Sequence, residues 1–215
     1  MGKLKIKKHD IWIDMTPMSD VMVLLLTFFM LTSTFVKNEP VKVNQPSSVS
    51  EIKVPENDVL NILVNDKGKV FMSMDNQNDM LSLIQGMNET GSLGLTDAEM
   101  KKFQTDPMWG VPLDNLKGYL GLPTEKMTEV ITSAEAGVPL DSIDGGKSEF
   151  QHWVTEALNV NEDIKIAIKV DAKTPYANMK KVMSELQDMN QNRYYLITTL
   201  KTGRINKYGK IKRYK

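Results

Sequence analysis

Val21 to Val36 reads VMVLLLTFFMLTSTFV, 16 residues without a charge, broken only by Thr27, Thr32, Ser33 and Thr34. Such a run has no polar face to turn toward water. Traced back to Pro17, a favoured first helical position behind a capping Thr16, it makes a helix of 20 residues. At ~1.5 Å per residue that is about 30 Å, one hydrocarbon core, so residues 15–36 are expected to cross a membrane as a single helix. A cleaved signal peptide is the competing reading, since a basic stretch precedes the apolar run. The run is long for that role, however, and no small-x-small cleavage site follows it. Lys3, Lys5, Lys7 and Lys8 lie before the span, whereas only Lys37 and Lys42, beside Glu39, follow it closely. The positive-inside rule therefore places residues 1–14 in the cytoplasm and residues 37–215 on the far side.

Asp20 stands one turn into this helix, and the 16 residues after it contain no other ionisable group. Two readings are open. Asp20 complements the positive end of the helix dipole, worth ~0.3–1 kcal/mol, or it is an intramembrane acid kept for function, at a cost of up to ~2.5–3.5 kcal/mol. Spacing favours the second. Thr27 and Thr34 follow Asp20 by seven and fourteen residues, so at ~100° per residue all three fall within about 40° on one face. A polar seam led by a carboxyl that can take up and release a proton suits a relay facing a partner or a wet lumen.

The chain of 215 residues has 27 basic and 27 acidic side chains and no cysteine, which excludes a thiol nucleophile, a disulfide framework and a cysteine-ligated zinc. The zero net charge hides an asymmetry. Four lysines crowd residues 1–8 and seven basic residues crowd 201–215; setting those eleven aside leaves 16 basic against 27 acidic, a balance of −11. His9 and His152 are the only histidines, so no histidine metal cluster or Ser/His/Asp constellation has support. No glycine-rich phosphate loop or calcium-loop spacing appears. No enzyme, cofactor or metal is expected.

The stretch Asp14-Met-Thr-Pro-Met-Ser-Asp20-Val-Met-Val-Leu-Leu-Leu-Thr-Phe-Phe-Met30 resembles the N-terminal signature of the ExbD/TolR family, Asn-x-Thr-Pro-x-x-Asp-Val before a Leu-rich span. Val41-Lys42-Val43-Asn44-Gln45-Pro46 is similar to the family's Val-x-Val-x-Leu-Pro element, with Gln45 in place of leucine. Residues 164–200 are similar to its C-terminal strand, Pro-Tyr helix and final strand. The resemblance implies an accessory subunit of a proton-driven motor in a Gram-negative inner membrane. Its implied partners are an ExbB-like proton-channel ring, a TonB-like energy transducer serving outer-membrane transporters, and a second copy in a homodimer. It puts the essential membrane aspartate at Asp20. A TolR-like role in envelope integrity uses the same machinery, and a single-pass anchored periplasmic scaffold is the rival without proton coupling. Two departures stand out: Asp14 replaces the family's asparagine, adding an acid that bears on proton entry, and residues 76–147 lack a counterpart in the compact family domain.

Beyond the span, residues 37–55 hold Pro40, Pro46 and Pro55 with three serines and read as an extended linker. Val41 and Val43 alternate as in a strand that adds to a neighbouring sheet or, equally, an unpaired tether, with Asn44 and Pro46 completing the docking element. Residues 56–200 are expected to form a two-layer α+β domain. A hairpin of Val59–Val64 and Lys69–Met74 turns at Asn65–Gly68, a helix carries Phe150, Trp153, Val154, Ala157 and Leu158, and a strand alternates Ile164, Ile166, Ile168 and Val170. Thr174-Pro175 is read as capping a helix, and Tyr194–Leu200 as one strand. Within the domain, 76–147 is read as a helical insertion. Asp79 opens one helix, Thr96 and Glu99 form a capping box, and Leu113–Leu120 and Thr124–Ile131 supply two more. Gly110-Val-Pro-Leu recurs as Gly137-Val-Pro-Leu, weak evidence for a repeat. Trp109 is assigned to the core over an exposed partner surface. The basic tail 201–215, with Tyr208 and Tyr214, is a solvated segment or an anionic-lipid contact; nucleic acid is not expected on the exported side.

Overall fold

Val59–Val64 (β2) and Val70–Met74 (β3) pair antiparallel around a turn that is built by Asn65. Its side-chain oxygen accepts the N–H groups of Lys67 at 3.0 Å and Lys69 at 2.9 Å. Gly68 closes the turn at φ +76°, and a Cβ there would run into the Asn178 side chain. The computed structural model describes residues 14–33, 39–48, 57–133, 136–141 and 146–200. The chain divides into two units, 1–37 and 38–215. The first contains helix α1 (Thr16–Thr32). The second contains, besides the hairpin, β1 (Ser47–Ser48), α2 (Gln77–Gly91), α3 (Asp97–Thr105), α4 (Leu113–Gly121), α5 (Thr124–Thr132) and α6 (Glu149–Val160), followed by β4 (Lys165–Val170), α7 (Tyr176–Asp188), β5 (Tyr194–Ile197) and β6 (Thr199–Leu200). The class is mixed α+β.

The main sheet runs β3-β2-β4-β5, with β2 parallel to β4 and β4 parallel to β5. Cross-strand partners share a face. The register therefore lines up Leu60, Ile62 and Val64 with Met74, Met72 and Val70 on one side and with Ile166, Ile168 and Val170 on the other, and all nine are buried. The opposite face mixes Leu63, Phe71 and Ala167 with Asn61, Ser73, Lys165 and Lys169. The expected last strand breaks at Thr198 into β5 and β6, because residues 199–200 leave the main sheet to pair with β1.

Four helices form between 76 and 147 where the periodicity places them, but they are not a separate lobe: their apolar side chains enter the same core as the sheet. Asn76, rather than Asp79, caps α2 by accepting the Asn78 N–H at 3.0 Å. Glu99 accepts the Thr96 N–H at 2.8 Å, the reach-back bond of a capping box, and its carboxylate also accepts the Thr96 hydroxyl at 2.9 Å. The repeated Gly-Val-Pro-Leu segments both run along the outer edge of β3. Trp109 exchanges backbone hydrogen bonds with Met72 at 2.8 and 2.9 Å, Val138 N–H donates to Val70 at 2.8 Å, and Gly137 N–H donates to the Gly110 carbonyl. The echo thus reflects two extended segments closing one sheet edge, a place where an open strand invites unwanted pairing. Gly110 is needed there, because a Cβ would collide with the Phe71 ring.

Phe103, Trp109 and Trp153 form the aromatic centre of the core. Ring centroids lie 5.2 Å apart for Phe103 and Trp109, 5.6 Å for the two tryptophans, and 5.9 Å for the stacked Phe103 and Trp153. Neither indole N–H has a hydrogen-bond partner among the described residues. Trp153→Ala is expected to cost about 3–5 kcal/mol, whereas Trp153→Phe keeps a stacked ring and removes a buried orphan donor. Thermal melts of the detergent-solubilised chain should place the Phe variant much closer to wild type than the Ala variant.

Glu149, in the first turn of α6, is buried and accepts the Leu113 N–H at 3.0 Å. Burial raises its pKa, a rise that the Leu113 N–H partly offsets and nearby Asp114 reinforces. The folded state therefore holds the Glu149 proton more tightly than the unfolded chain, so this residue costs stability as pH rises above about 4.3, its unfolded value. Glu149→Gln keeps the acceptor without the charge. Its melting temperature should exceed wild type at pH 7, by roughly 2–4 °C for ~1 kcal/mol, with the gap closing toward pH 4.

Candidate functional site: the N-terminal helix and the linker

Helix α1 begins with Thr16 and Pro17, as the motif implies, but the capping acceptor is Asp14 and not Thr16. The Asp14 carboxylate accepts the Thr16 N–H at 3.0 Å and also its hydroxyl; Met15 is the N-cap residue and makes no side-chain cap. These bonds, the hydroxyl's first and the amide's second, hold the Asp14 pKa below the ordinary carboxylate value. The second acid therefore serves as an ionised helix cap at neutral pH.

The described helix ends at Thr32, where Ser33 turns extended at ψ 109° while its N–H still reaches the Phe29 carbonyl; the expected stretch to Val36 lies outside the described residues. Among the described residues, no helix is long and apolar enough to cross a membrane. None of the 17 residues of α1 is buried. Val21, Leu24, Phe28 and Leu31 are 54%, 59%, 59% and 86% exposed, and Met18, Leu26 and Met30 on other sides are at least as open as Val21. The apolar surface thus runs round all but the Asp20–Thr27 face.

Asp20 is the one ionisable side chain within Thr16–Thr32, and it is exposed. Thr27, expected beside it on the polar face, turns its hydroxyl proton inward to the Leu24 carbonyl at 2.9 Å, leaving its oxygen outward as an acceptor. Ser19 and Thr32 bond back to Met15 and Phe28 in the same way. Thr34, the third member of the seam, lies outside the described residues.

The linker is ordered against its own unit from Glu39 to Ser48. Lys169, on the mixed face of the sheet, meets Glu39 at 2.9 Å. Both side chains are partly exposed, so the pair is worth at most about 1 kcal/mol. Val41 and Val43 are half-buried against the core while Lys42 and Asn44 stay exposed. The alternation is that of a strand, yet the paired residues are Ser47 and Ser48, parallel to Thr199 and Leu200. Pro46 contributes its carbonyl to the Thr199 N–H at 3.1 Å.

Asp171, just beyond β4, fixes this register. Its carboxylate accepts the Asn44 N–H at 2.8 Å and the Lys173 N–H at 2.9 Å, while the Asn44 carbonyl receives the Ala172 N–H at 2.8 Å. The linker therefore bridges the ends of β4 and β5. No local pattern marks Asp171 or Glu39, since each acts across more than 120 residues of sequence. Thr174 also works at long range: it donates to the Asn65 carbonyl at 2.7 Å, tying the hairpin to α7, whose N-cap is Pro175 without a side-chain cap.

With this geometry described, comparison with known proteins gives the class. A family model described as Biopolymer transport protein ExbD/TolR matches residues 7–201. The chain belongs to the ExbD/TolR family of biopolymer transport proteins. Over 52 residues it is 35% identical to a protein of Vibrio cholerae serotype O1 (strain ATCC 39315 / El Tor Inaba N16961) named biopolymer transport protein exbD2, a match covering 24% of this chain and 39% of that relative. No solved structure matches the chain.

The Lys173 amide first, and the Asn44 amide second, hold the Asp171 pKa below the usual carboxylate value. Docking is therefore fully supported above about pH 3.9, the unfolded value, and weakens as pH falls through the folded one. Amide exchange at Ala172 and Thr199 should be slow at pH 7 and speed up, beyond the intrinsic pH effect, near pH 3. Asp171→Asn, which presents one acceptor for two amides, should expose both at pH 7.

Proposed function

We propose that the chain is an inner-membrane subunit of a proton-motive-force-driven motor of the ExbB-ExbD-TonB type, in which α1 anchors the chain and Asp20 carries the proton. The observation that carries this reading is a helix with exposed apolar side chains over all but its Asp20–Thr27 face, with no buried residue and with one carboxyl near its start. Apolar surface of that extent needs lipid or partner helices around it. An acid among such neighbours is kept for a purpose, because it costs insertion energy. The described helix is about 25 Å long, so anchoring across a ~30 Å core calls for the bilayer to thin locally.

In this account Asp20 takes a proton from one side and gives it up to the other. The outward oxygen of Thr27 extends the polar face along which water or a partner approaches. One helix per chain cannot enclose a lumen, so the path is completed by an ExbB-like ring around a homodimer of these helices. Each charge moved through 100 mV supplies ~2.3 kcal/mol, and several protons per cycle suffice to reorganise an interface. The N-terminus lies in the cytoplasm and the second unit in the periplasm of a Gram-negative cell. There the linker docked at Val41, Val43, Asn44 and Pro46 couples helix motion to the domain that meets a TonB-like transducer. The role is mechanical, and no catalytic step is assigned to the chain. The name of the Vibrio relative supports transport over a TolR-like envelope role.

Asp20→Asn keeps shape and polarity and removes titration. In cells carrying it at normal membrane level and with normal partner association, proton-gradient-dependent uptake through an outer-membrane transporter should fall at least about 100-fold. Uptake within twofold of wild type would leave Asp20 as a helix-end charge and favour an anchored scaffold.

A further inference from the structure

Leu140 and Asp141, just past the second edge-closing segment, lie with helix α7 around a cleft of about 490 Å³ that the motor reading does not use. Helix α7 contributes Ala177, Lys180, Lys181, Ser184 and Glu185. Their spacing puts all five on one face of the helix, turned away from the buried Val182 and Leu186. A bulk water takes up about 30 Å³, so the cleft has room for a small organic molecule.

Charge without partners sets this cleft apart. The side chains of Asp141, Lys180 and Lys181 make no hydrogen bond or ion pair among the described residues, although both signs stand at one place. Lys181 precedes Glu185 by four residues, the weaker order for a helical ion pair, and no such pair forms. Glu185 is held from the other side. Ser148, wholly buried at the head of α6, donates its hydroxyl to one oxygen of the Glu185 carboxylate at 2.6 Å. That bond fixes the half-buried carboxylate and leaves its second oxygen without a partner among the described residues.

We propose that this cleft binds a zwitterionic molecule of dipeptide size. Its ammonium sits on Asp141, the second Glu185 oxygen and the Ser184 hydroxyl, three acceptors for three N–H donors. Its carboxylate sits on Lys180 and Lys181, and a short apolar side chain lies against Leu140 and Ala177. A simple anion would meet two carboxylates beside the lysines, and a divalent cation would meet two ammoniums beside the acids. A ligand carrying both charges avoids either repulsion. Fixed charges of both signs also set its orientation, since the reversed ligand brings like charges together. The cleft is open to water, so each contact is screened and the affinity is modest.

The test is calorimetric titration of the full chain in nanodiscs at pH 7 with L-alanyl-L-alanine. The probe carries both charges there, because an α-amino group has a pKa of about 7.7–8.0. N-acetyl-alanyl-alanine removes the ammonium and alanyl-alanine amide removes the carboxylate. The expected result is saturable binding of the free dipeptide with a Kd of about 1 mM and at least tenfold weaker binding of each capped peptide. Asp141→Asn, and Lys180→Gln with Lys181→Gln, should each weaken the free dipeptide at least tenfold. Ala177→Phe fills the cleft without removing a charge and should abolish binding. All four positions are exposed, so the thermal melts should stay unchanged. No saturable binding of the free dipeptide to the wild type, equal binding of either capped peptide, or full binding by any of these variants would overturn the proposal.

Discussion

An apolar helix with no buried residue is the constraint on which the account rests. In water, the exposed faces of Val21 to Leu31 would cost ~25 cal/mol for every Å² of apolar surface, and the narrow seam of Asp20 and Thr27 offsets little of it. In the proposed account, the surroundings of α1 are lipid or other helices. Asp20 takes its meaning from that requirement. The same carboxyl on a water-facing helix would be an ordinary acid near a helix start, worth a few tenths of a kcal/mol. In the proposed membrane setting, the acid is the group whose charge the surroundings must manage. Asp14 shows the contrast: six residues earlier, it spends its lone pairs on Thr16 and stays ionised.

The second unit meets a different demand, which is to remain one body while attached to a tether. Its solution is long-range. A single core takes in the sheet and the inserted helices, with Phe103 and Trp109 from the insertion meeting Trp153 of α6. The insertion also closes the β3 edge, leaving β5 as the other margin of the main sheet. On the linker side, Asp171 and Thr199 hold residues 44–48 through backbone amides, a bond type that depends little on which side chains the linker carries. The half-buried Val41 and Val43 supply the apolar part of the attachment.

Much of this was legible in the residues. The hairpin at Asn65–Gly68, the capping box at Thr96 and Glu99, and the periodicities of α4, α5, α6 and α7 are local patterns, and local patterns survive into the fold. The family-like motif around Asp20 was equally plain, and the match over residues 7–201 agrees with it. What escaped was non-local or chemically quiet. Ser47 and Ser48 have no strand propensity and pair only because Thr199 is brought beside them. Asp106 and Tyr119 stand thirteen residues apart in loop and helix, with no period to join them. The Gly-Val-Pro-Leu echo was a real signal: it marked two edge-closing segments, the first of which also leads into α4 with Pro112 as its N-cap. Thr16 looked like the cap because threonine before proline usually is one; Asp14, two residues upstream, had the better acceptor.

The most direct test of the central claim uses the absence of native cysteine. Single cysteines placed in turn from residue 14 to residue 43, in membranes containing the assembled complex, are exposed to a water-soluble maleimide from each side. The account predicts labelling near Asp14 from the cytoplasmic side only, labelling near Val43 from the opposite side only, and protection across Val21–Leu31 broken only on the face of Asp20 and Thr27. Uniform labelling along the helix, or labelling of both ends from the same side, would contradict it.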